Sequence, residues 1–199
     1  LKMRQSNNVV LDQAKSEIKT PETSTEILTQ KTQNDVISRE VNFETKLEKE
    51  DSPLENKKIE NLMVLTCDVS TSAGLDRYRK SYPNKYLDLG IAEQNMTGVA
   101  AGLASENYNV ITTTFAPFQT MRCCEQIKVN LGYMKQNVCT VGIASGLALG
   151  ALGYTHCCIE DLSIMRSIPG LTILSPSDGS EVVKSVFAAA ECDSPVSVS

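Results

Sequence analysis

The chain has no run approaching the roughly 18 consecutive apolar residues that a membrane-spanning helix needs. It has no surplus of positive charge either. Nineteen Lys and Arg stand against 24 Asp and Glu, a formal net charge of -5 that argues against a nucleic-acid-binding face. The opening LKMRQSNNVV lacks the apolar stretch and cleavage site of a secretory signal peptide. No cysteine stands in a C-x-x-C spacing, and the adjacent pairs Cys123-Cys124 and Cys157-Cys158 have poor disulfide geometry, so neither a zinc site nor a redox motif is indicated. Seven cysteines, an odd number, without a secretory signal point to buried thiols in a reducing cytosol. Internal repeats and runs of like charge are absent. What is present, 41% hydrophobic and 22% charged residues over 199 positions, fits a soluble globular domain or a small domain with a tail. The chain opens on Leu1 and stops inside the apparent strand PVSVS, which reads as a fragment or an incomplete gene model.

Residues 1–60 and 61–199 differ in composition. The first part has no Gly, no Cys and one aromatic, Phe43, and it mixes 10 Lys and Arg with 12 Asp and Glu. Its Thr-rich stretch KTPETSTEILTQKTQND has too few large side chains to offset the entropy of ordering. It reads as a polar, disordered or loosely helical segment. Weak helical spacing of Val36, Ile37, Val41, Phe43 and Leu47 leaves room for one helix lying on the next domain.

From residue 61 the pattern predicts an α/β domain. Strands are expected at Leu62–Thr66, Tyr86–Leu89, Val110–Thr113, Val138–Ile143, Leu171–Leu174 and Pro195–Val198. Helices are expected at Glu93–Ser105, over a long stretch Phe115–Met134, at Ile159–Ser167, and from an Asp178 cap to Cys192. Such alternation implies a parallel β-sheet with helices on both faces, and ligands on these sheets bind beyond the carboxyl ends of the strands. Asp68, the 89–93 and 114–118 segments and the loop after Ile143 converge there.

Three features at that edge could carry chemistry. Glu93 opens a helix whose small residues Gly98, Ala100, Ala101, Gly102 and Ala104 permit close packing against another backbone. An acid at a helix start is usually dipole stabilisation. Held against an apolar wall, however, it would have a raised pKa and could share a proton with a ligand nitrogen. Phe115, Phe118 and Met121, three apart, would ordinarily be core, but Pro117 puts the rings at a helix start on the functional rim. His156, the one histidine, lies after the glycine-rich loop GLALGALGYTH, where it could give or take a proton. That loop is neither a Walker A motif nor a dinucleotide fingerprint.

Together VLTCDVSTSAGL, YLDLGIAEQNMTGVAAGLA, TTTFAPFQTMRCCEQIKVNL, GYTHCCIEDLSIMRSIPGLTILSPSDGSE and SPVSVS, in that order, resemble the pyrimidine-binding domain of transketolases and deoxyxylulose-phosphate synthases. The resemblance spans residues 62–199. It implies thiamine diphosphate shared with a partner: the aminopyrimidine on this domain, the diphosphate and its Mg²⁺ or similar divalent metal on a diphosphate-binding subunit, in a homo- or hetero-oligomer of the cytoplasm. Glu93 would hydrogen-bond the pyrimidine nitrogen and promote the imino tautomer, which deprotonates the thiazolium carbon that attacks a ketose or 2-oxo acid. Phe115 and Phe118 would flank the pyrimidine, with Met121 at a third aromatic's position. Ile91 would wedge the cofactor into its bent form, and Asp68 would lie near it. Ser72 would lie near a substrate phosphate, and His156 would face the reacting carbons.

The chain departs from that pattern in the loop. Leu152 replaces an acidic residue expected to contact a sugar hydroxyl, and Ala144 replaces a histidine. The Gly-Asp-Gly…Asn motif for metal and diphosphate is missing from the sequence. Two readings follow: one subunit of a split, two-carbon-transferring enzyme, or a non-catalytic fragment serving as scaffold or regulatory partner.

Overall fold

The computed structural model describes residues 61–199. The polar segment 1–60, including the helix expected near Val36–Leu47, lies outside the described residues. Among those described, six strands form one all-parallel sheet in the order β2-β1-β3-β4-β6-β5. They are β1 (Leu62–Thr66), β2 (Tyr86–Asp88), β3 (Asn109–Phe115), β4 (Val138–Ile143), β5 (Thr172–Leu174) and β6 (Val196–Val198). Each expected strand is found, displaced by at most a residue or two at its ends.

Helices cover both faces because neighbouring residues on the central strands point opposite ways. Val110 of β3 and Val138 of β4 join Leu65, Met96, Ile127, Leu131 and Met165 in one core. Cys139 of β4 joins Ala189, Val196 and Val198 in the other, with Ile111 of β3 against it. The first core is covered by α2 (Glu93–Ser105), by the π-helical turn Ile127–Tyr133 and by α5 (Asp161–Arg166). The second is covered by α6 (Gly179–Glu191). Asp178 caps α6 as expected, its Oδ1 accepting from Glu181 N at 2.9 Å, while Ser177 N and Oγ donate back to Glu181 Oε2 at 2.8 Å. Those two donors hold the Glu181 carboxyl below its ordinary range. A short helix α1 (Asp76–Ser81) and the 3-10 turn Pro83–Lys85, not expected from the sequence, join β1 to β2.

The long helix expected over 115–134 is not formed. Instead β3 runs on through Phe115, α3 (Ala116–Gln119) makes one turn, and α4 (Cys124–Gln126) leads into the π-helical Ile127–Tyr133. The ladder breaks at Arg122, whose N–H goes to Pro117 O at 3.2 Å, and the Phe118 carbonyl it leaves accepts from Cys123 Sγ at 3.2 Å instead. Two glycines set the spacing of this stretch. A Cβ on Gly132 would lie 2.7 Å from Ile168 Cγ2, and one on Gly142 would lie 3.1 Å from Ala116 Cα, so Gly142 is what lets α3 sit directly on β4.

Candidate active site

The carboxyl ends of β1, β2, β3 and β4 lie side by side, and the connection reverses direction across the sheet between β1 and β3. This is the position at which open parallel sheets bind ligands. Every residue singled out from the sequence is carried by a segment leaving that edge.

Glu93 begins α2 and is buried, 3% exposed, on the inner side of the rim. Its surroundings correct the expected apolar wall. Arg122 Nη1 donates to Glu93 Oε1 at 2.8 Å, and the guanidinium lies over the Phe118 ring, 3.9 Å from its centroid. Gln94 Nε2 in turn donates to Arg122 O at 3.0 Å. The break after α3 is what brings Arg122 back to the acid. Of the small residues behind Glu93, Ala100 and Ala101 are buried as expected, but a Cβ on Gly98 or Gly102 would meet nothing within 4 Å, so these two approach no other part of the described chain.

Phe115 and Phe118 stand edge to face with centroids 6.2 Å apart, Phe115 at the end of β3 and Phe118 in α3. His156 completes the aromatic group, 6.2 Å from Phe115 and 5.4 Å from Phe118. Its Nδ1 is within 3.0 Å of Thr155 Oγ1, which turns Nε2 away from that hydroxyl. Ile91 and Met121 are exposed on the rim, 76% and 51%, as apolar surfaces open to a ligand. Asp68 follows β1 with a left-handed φ of 57°, a conformation Asp tolerates, and Ser72 is exposed in the turn beyond. Glu93, Phe115, Phe118 and His156 are thus gathered by contacts through Arg122 and the rings; Asp68, Ile91, Met121 and Ser72 share the edge but none of those contacts.

Two residues were missed from the sequence. Arg122 stood in the TTTFAPFQTMR segment without a role. Asp88, the last residue of β2, has Oδ1 accepting from Asp68 N at 2.9 Å and from Gly90 N at 3.0 Å. It ties together the two loops that carry Asp68 on one side and Ile91 and Glu93 on the other, and Gly90, at φ 66°, makes the turn between them. An Asp two residues before a glycine was the available signal.

Beneath the site lie two buried thiols. Cys67 Sγ donates to Met96 Sδ at 3.5 Å. Burial pushes the Cys67 thiol up to about 11, with the charges of Glu93 and Asp88 adding to it, and burial likewise pushes Cys123 to about 11. They are neutral filler at ordinary pH. All seven cysteines are free, though Cys124, Cys157 and Cys192 are only half-buried.

The arrangement fits the aminopyrimidine half of thiamine diphosphate: a buried carboxylate to meet a ring nitrogen, an aromatic group linked to it through Arg122, and the exposed Ile91 two residues before it in the chain. Among the described residues, no three His, Cys, Asp or Glu side chains converge on one point. No helix among them is long and apolar enough to cross a membrane.

Comparison with known proteins agrees. Residues 45–199 match the family described as transketolase, pyrimidine binding domain, a span that begins upstream of the compositional change at 60. A transketolase C-terminal section from Methanocaldococcus jannaschii is 37% identical over 142 residues, covering 71% of this chain and 45% of the relative. One of the subunits of an apulose-4-phosphate transketolase from Phocaeicola vulgatus is 36% identical over 138 residues, 69% of this chain and 44% of that one. A solved structure described as a split gene transketolase, inactive beta4 tetramer, superposes with a TM-score of 0.66 at 32% identity, over 80% of this chain and 49% of that one. The chain therefore spans less than half the length of these relatives. The parallel sheet agrees with the family match, and the chain belongs to the transketolase family, of which it carries the pyrimidine-binding domain.

Proposed function

We propose that the chain is the pyrimidine-binding subunit of a split transketolase-like enzyme, transferring a two-carbon ketol or acyl unit, and active only with a partner that carries the diphosphate and metal site. The observation that carries this reading is Glu93: a carboxylate 3% exposed, joined by Arg122 to the face of Phe118, at the ligand edge of the sheet. Partner dependence is supported by the relative whose beta4 tetramer is described as inactive.

Thiamine diphosphate, when bound, supplies an acidic thiazolium carbon and an electron sink for breaking the bond beside a carbonyl. The protein's part is to place it and move protons. Glu93 would exchange a proton with the pyrimidine nitrogen. Arg122 fixes the orientation of that carboxylate through Oε1 and leaves Oε2 for the ring. Phe115 and Phe118 would border the ring and exclude water, Ile91 would offer it an apolar support, and Asp68 and Met121 would close the near rim. His156, with Nδ1 engaged by Thr155, presents Nε2 to the oxygen of the reacting carbonyl. Ser72, exposed in the turn after β1, would meet a substrate's distal end. The site is cytoplasmic in this reading, and the metal is Mg²⁺ or a similar divalent ion held by the partner.

Calorimetry of thiamine diphosphate with Mg²⁺ tests this, first with the chain alone and then with its copurifying partner. Binding only in the mixture is expected. Absence of binding in both, with the chain folded, would leave the scaffold reading.

A further inference from the structure

Between Glu93 and Phe118 the space is taken by the side chain of Arg122. Nη1 donates to Glu93 Oε1 at 2.8 Å, and Cζ lies over the Phe118 ring, 3.9 Å from its centroid. Phe115 and His156 meet Phe118 at interplanar angles of 76° and 70°, so neither lies flat on that ring. A flat ligand that is to lie on Phe118 and also reach Glu93 must enter the space that the guanidinium spans. The backbone of Arg122 is pinned on both sides: its N–H goes to Pro117 O at 3.2 Å, and its carbonyl accepts from Gln94 Nε2 at 3.0 Å. Phe118 is held too, its carbonyl accepting from Cys123 Sγ at 3.2 Å. The Arg122 side chain, by contrast, is 40% exposed and has solvent to turn into.

We propose that Arg122 is a gate on the Phe118 face. It covers that face until the pyrimidine of the cofactor arrives, then swings into solvent while keeping its bond to Glu93 Oε1. The gate rests on the reading that the chain binds the pyrimidine of thiamine diphosphate between Glu93 and Phe118. Binding is then an exchange, in which contact between two rings replaces the cation over one. The affinity is lowered by whatever the cation over the ring contributes before the exchange. Lysine keeps the positive charge beside Glu93 but ends in a compact ammonium without the flat face that covers the ring. Arg122→Lys should therefore weaken the fold without cofactor and strengthen cofactor binding, two effects of one lost contact.

The complex of this chain with its copurifying partner is titrated calorimetrically with thiamine diphosphate in the presence of Mg²⁺, parent against Arg122→Lys. A Kd about two- to fivefold lower for Arg122→Lys is expected, the change that corresponds to an exposed cation–π contact. Equal or weaker binding by the variant overturns the proposal. The parent complex is also followed by NMR with ¹⁵N-arginine in this chain, the Arg122 Nε–H being identified by its loss in Arg122→Lys. The ring current of Phe118 should displace that proton from the ordinary arginine position, and saturation with cofactor should return it. A proton at its ordinary position before cofactor is added, or one still displaced at saturation, overturns the gate and leaves the cofactor reading intact. Absence of binding by both proteins would remove the cofactor reading, and the gate with it.

Discussion

The floor of the site and its far wall are held in place by different means. On the floor, side-chain charges make the connections: Asp88 grips the backbones of Asp68 and Gly90, and Arg122 joins Glu93 to the face of Phe118. On the wall, the loop after β4 is closed by the backbone exchange between Gly146 and Cys158 and carries no charged side chain between them. A floor built on directed charges constrains residue identity, because each partner left alone is an unmet polar group. A wall built on backbone bonds leaves its side chains open to change without loss of shape. That difference explains how one chain can keep Glu93, Phe115 and Phe118 while placing leucine at 152.

The contrast breaks if the floor tolerates substitution. The largest effect is expected from Glu93→Gln, which keeps the size and removes the ionisable proton. Turnover by the assembled complex should fall about 10²- to 10⁴-fold, the range for a single acid–base group, with the thermal midpoint near that of the parent chain. Unchanged turnover, measured in the same preparation, would mean that the acid serves only the helix.

Next is Gly142→Ala. The added methyl meets Ala116 Cα at 3.1 Å, a backbone atom that moves only with the whole of α3. A loss of about 1–3 kcal/mol in urea unfolding is expected, as for other overpacked sites, together with displacement of Phe118. A neutral result would show that α3 rides loosely on β4.

The buried thiols give a pH test of comparable or smaller size. Burial holds Cys67 and Cys123 at about 11 and Cys139 at about 12, against an ordinary thiol value near 9. Above pH 9 the unfolded chain releases these protons while the folded one keeps them, so stability is full below pH 9 and declines toward 11–12. Urea midpoints at pH 8 and 10.5 should differ, and Cys139→Ala should flatten the slope. An unchanged midpoint would place these thiols in contact with water.

How far the sequence revealed this architecture follows from the range of the forces involved. Strands β1 and β4 and helix α2 are written locally, as apolar runs between turn residues and as a periodic stretch after Gly90, and they appear where expected. The segment 115–134 has helical spacing as well, yet its ladder is interrupted where Arg122 N turns to Pro117 O and Cys123 Sγ takes Phe118 O, beside the pairing of Arg122 with Glu93, 29 residues distant in sequence. Local periodicity has no information about a partner that far away. Glu93, the phenylalanines and His156 could be named because their residue types are chemically conspicuous at the edge of a parallel sheet. Asp88 and Arg122 act on other residues, and their roles emerge only once β1 and β2, or α2 and α3, lie together.

A smaller effect, about 1 kcal/mol, is expected of Asp88→Ala, because water can reach the two N–H groups it abandons. Asn at this position retains a carbonyl oxygen that accepts from both, so Asp88→Asn should recover most of the loss in urea unfolding. Failure of Asn to recover it would mean that charge, not acceptor geometry, holds the loops.

The finest distinction concerns Arg122. Its side chain is 40% exposed, so the ion pair with Glu93 is partly screened by water and contributes little as a charge pair alone. The planar stacking on Phe118 is the part that lysine cannot reproduce. Arg122→Lys should therefore cost about 0.5–1 kcal/mol in urea unfolding, and the loss should persist in about 1 M salt, where a loss due to charge pairing would vanish. A cost that disappears with salt would make the floor's charges interchangeable. The contrast with the uncharged wall would then rest on Asp88 alone.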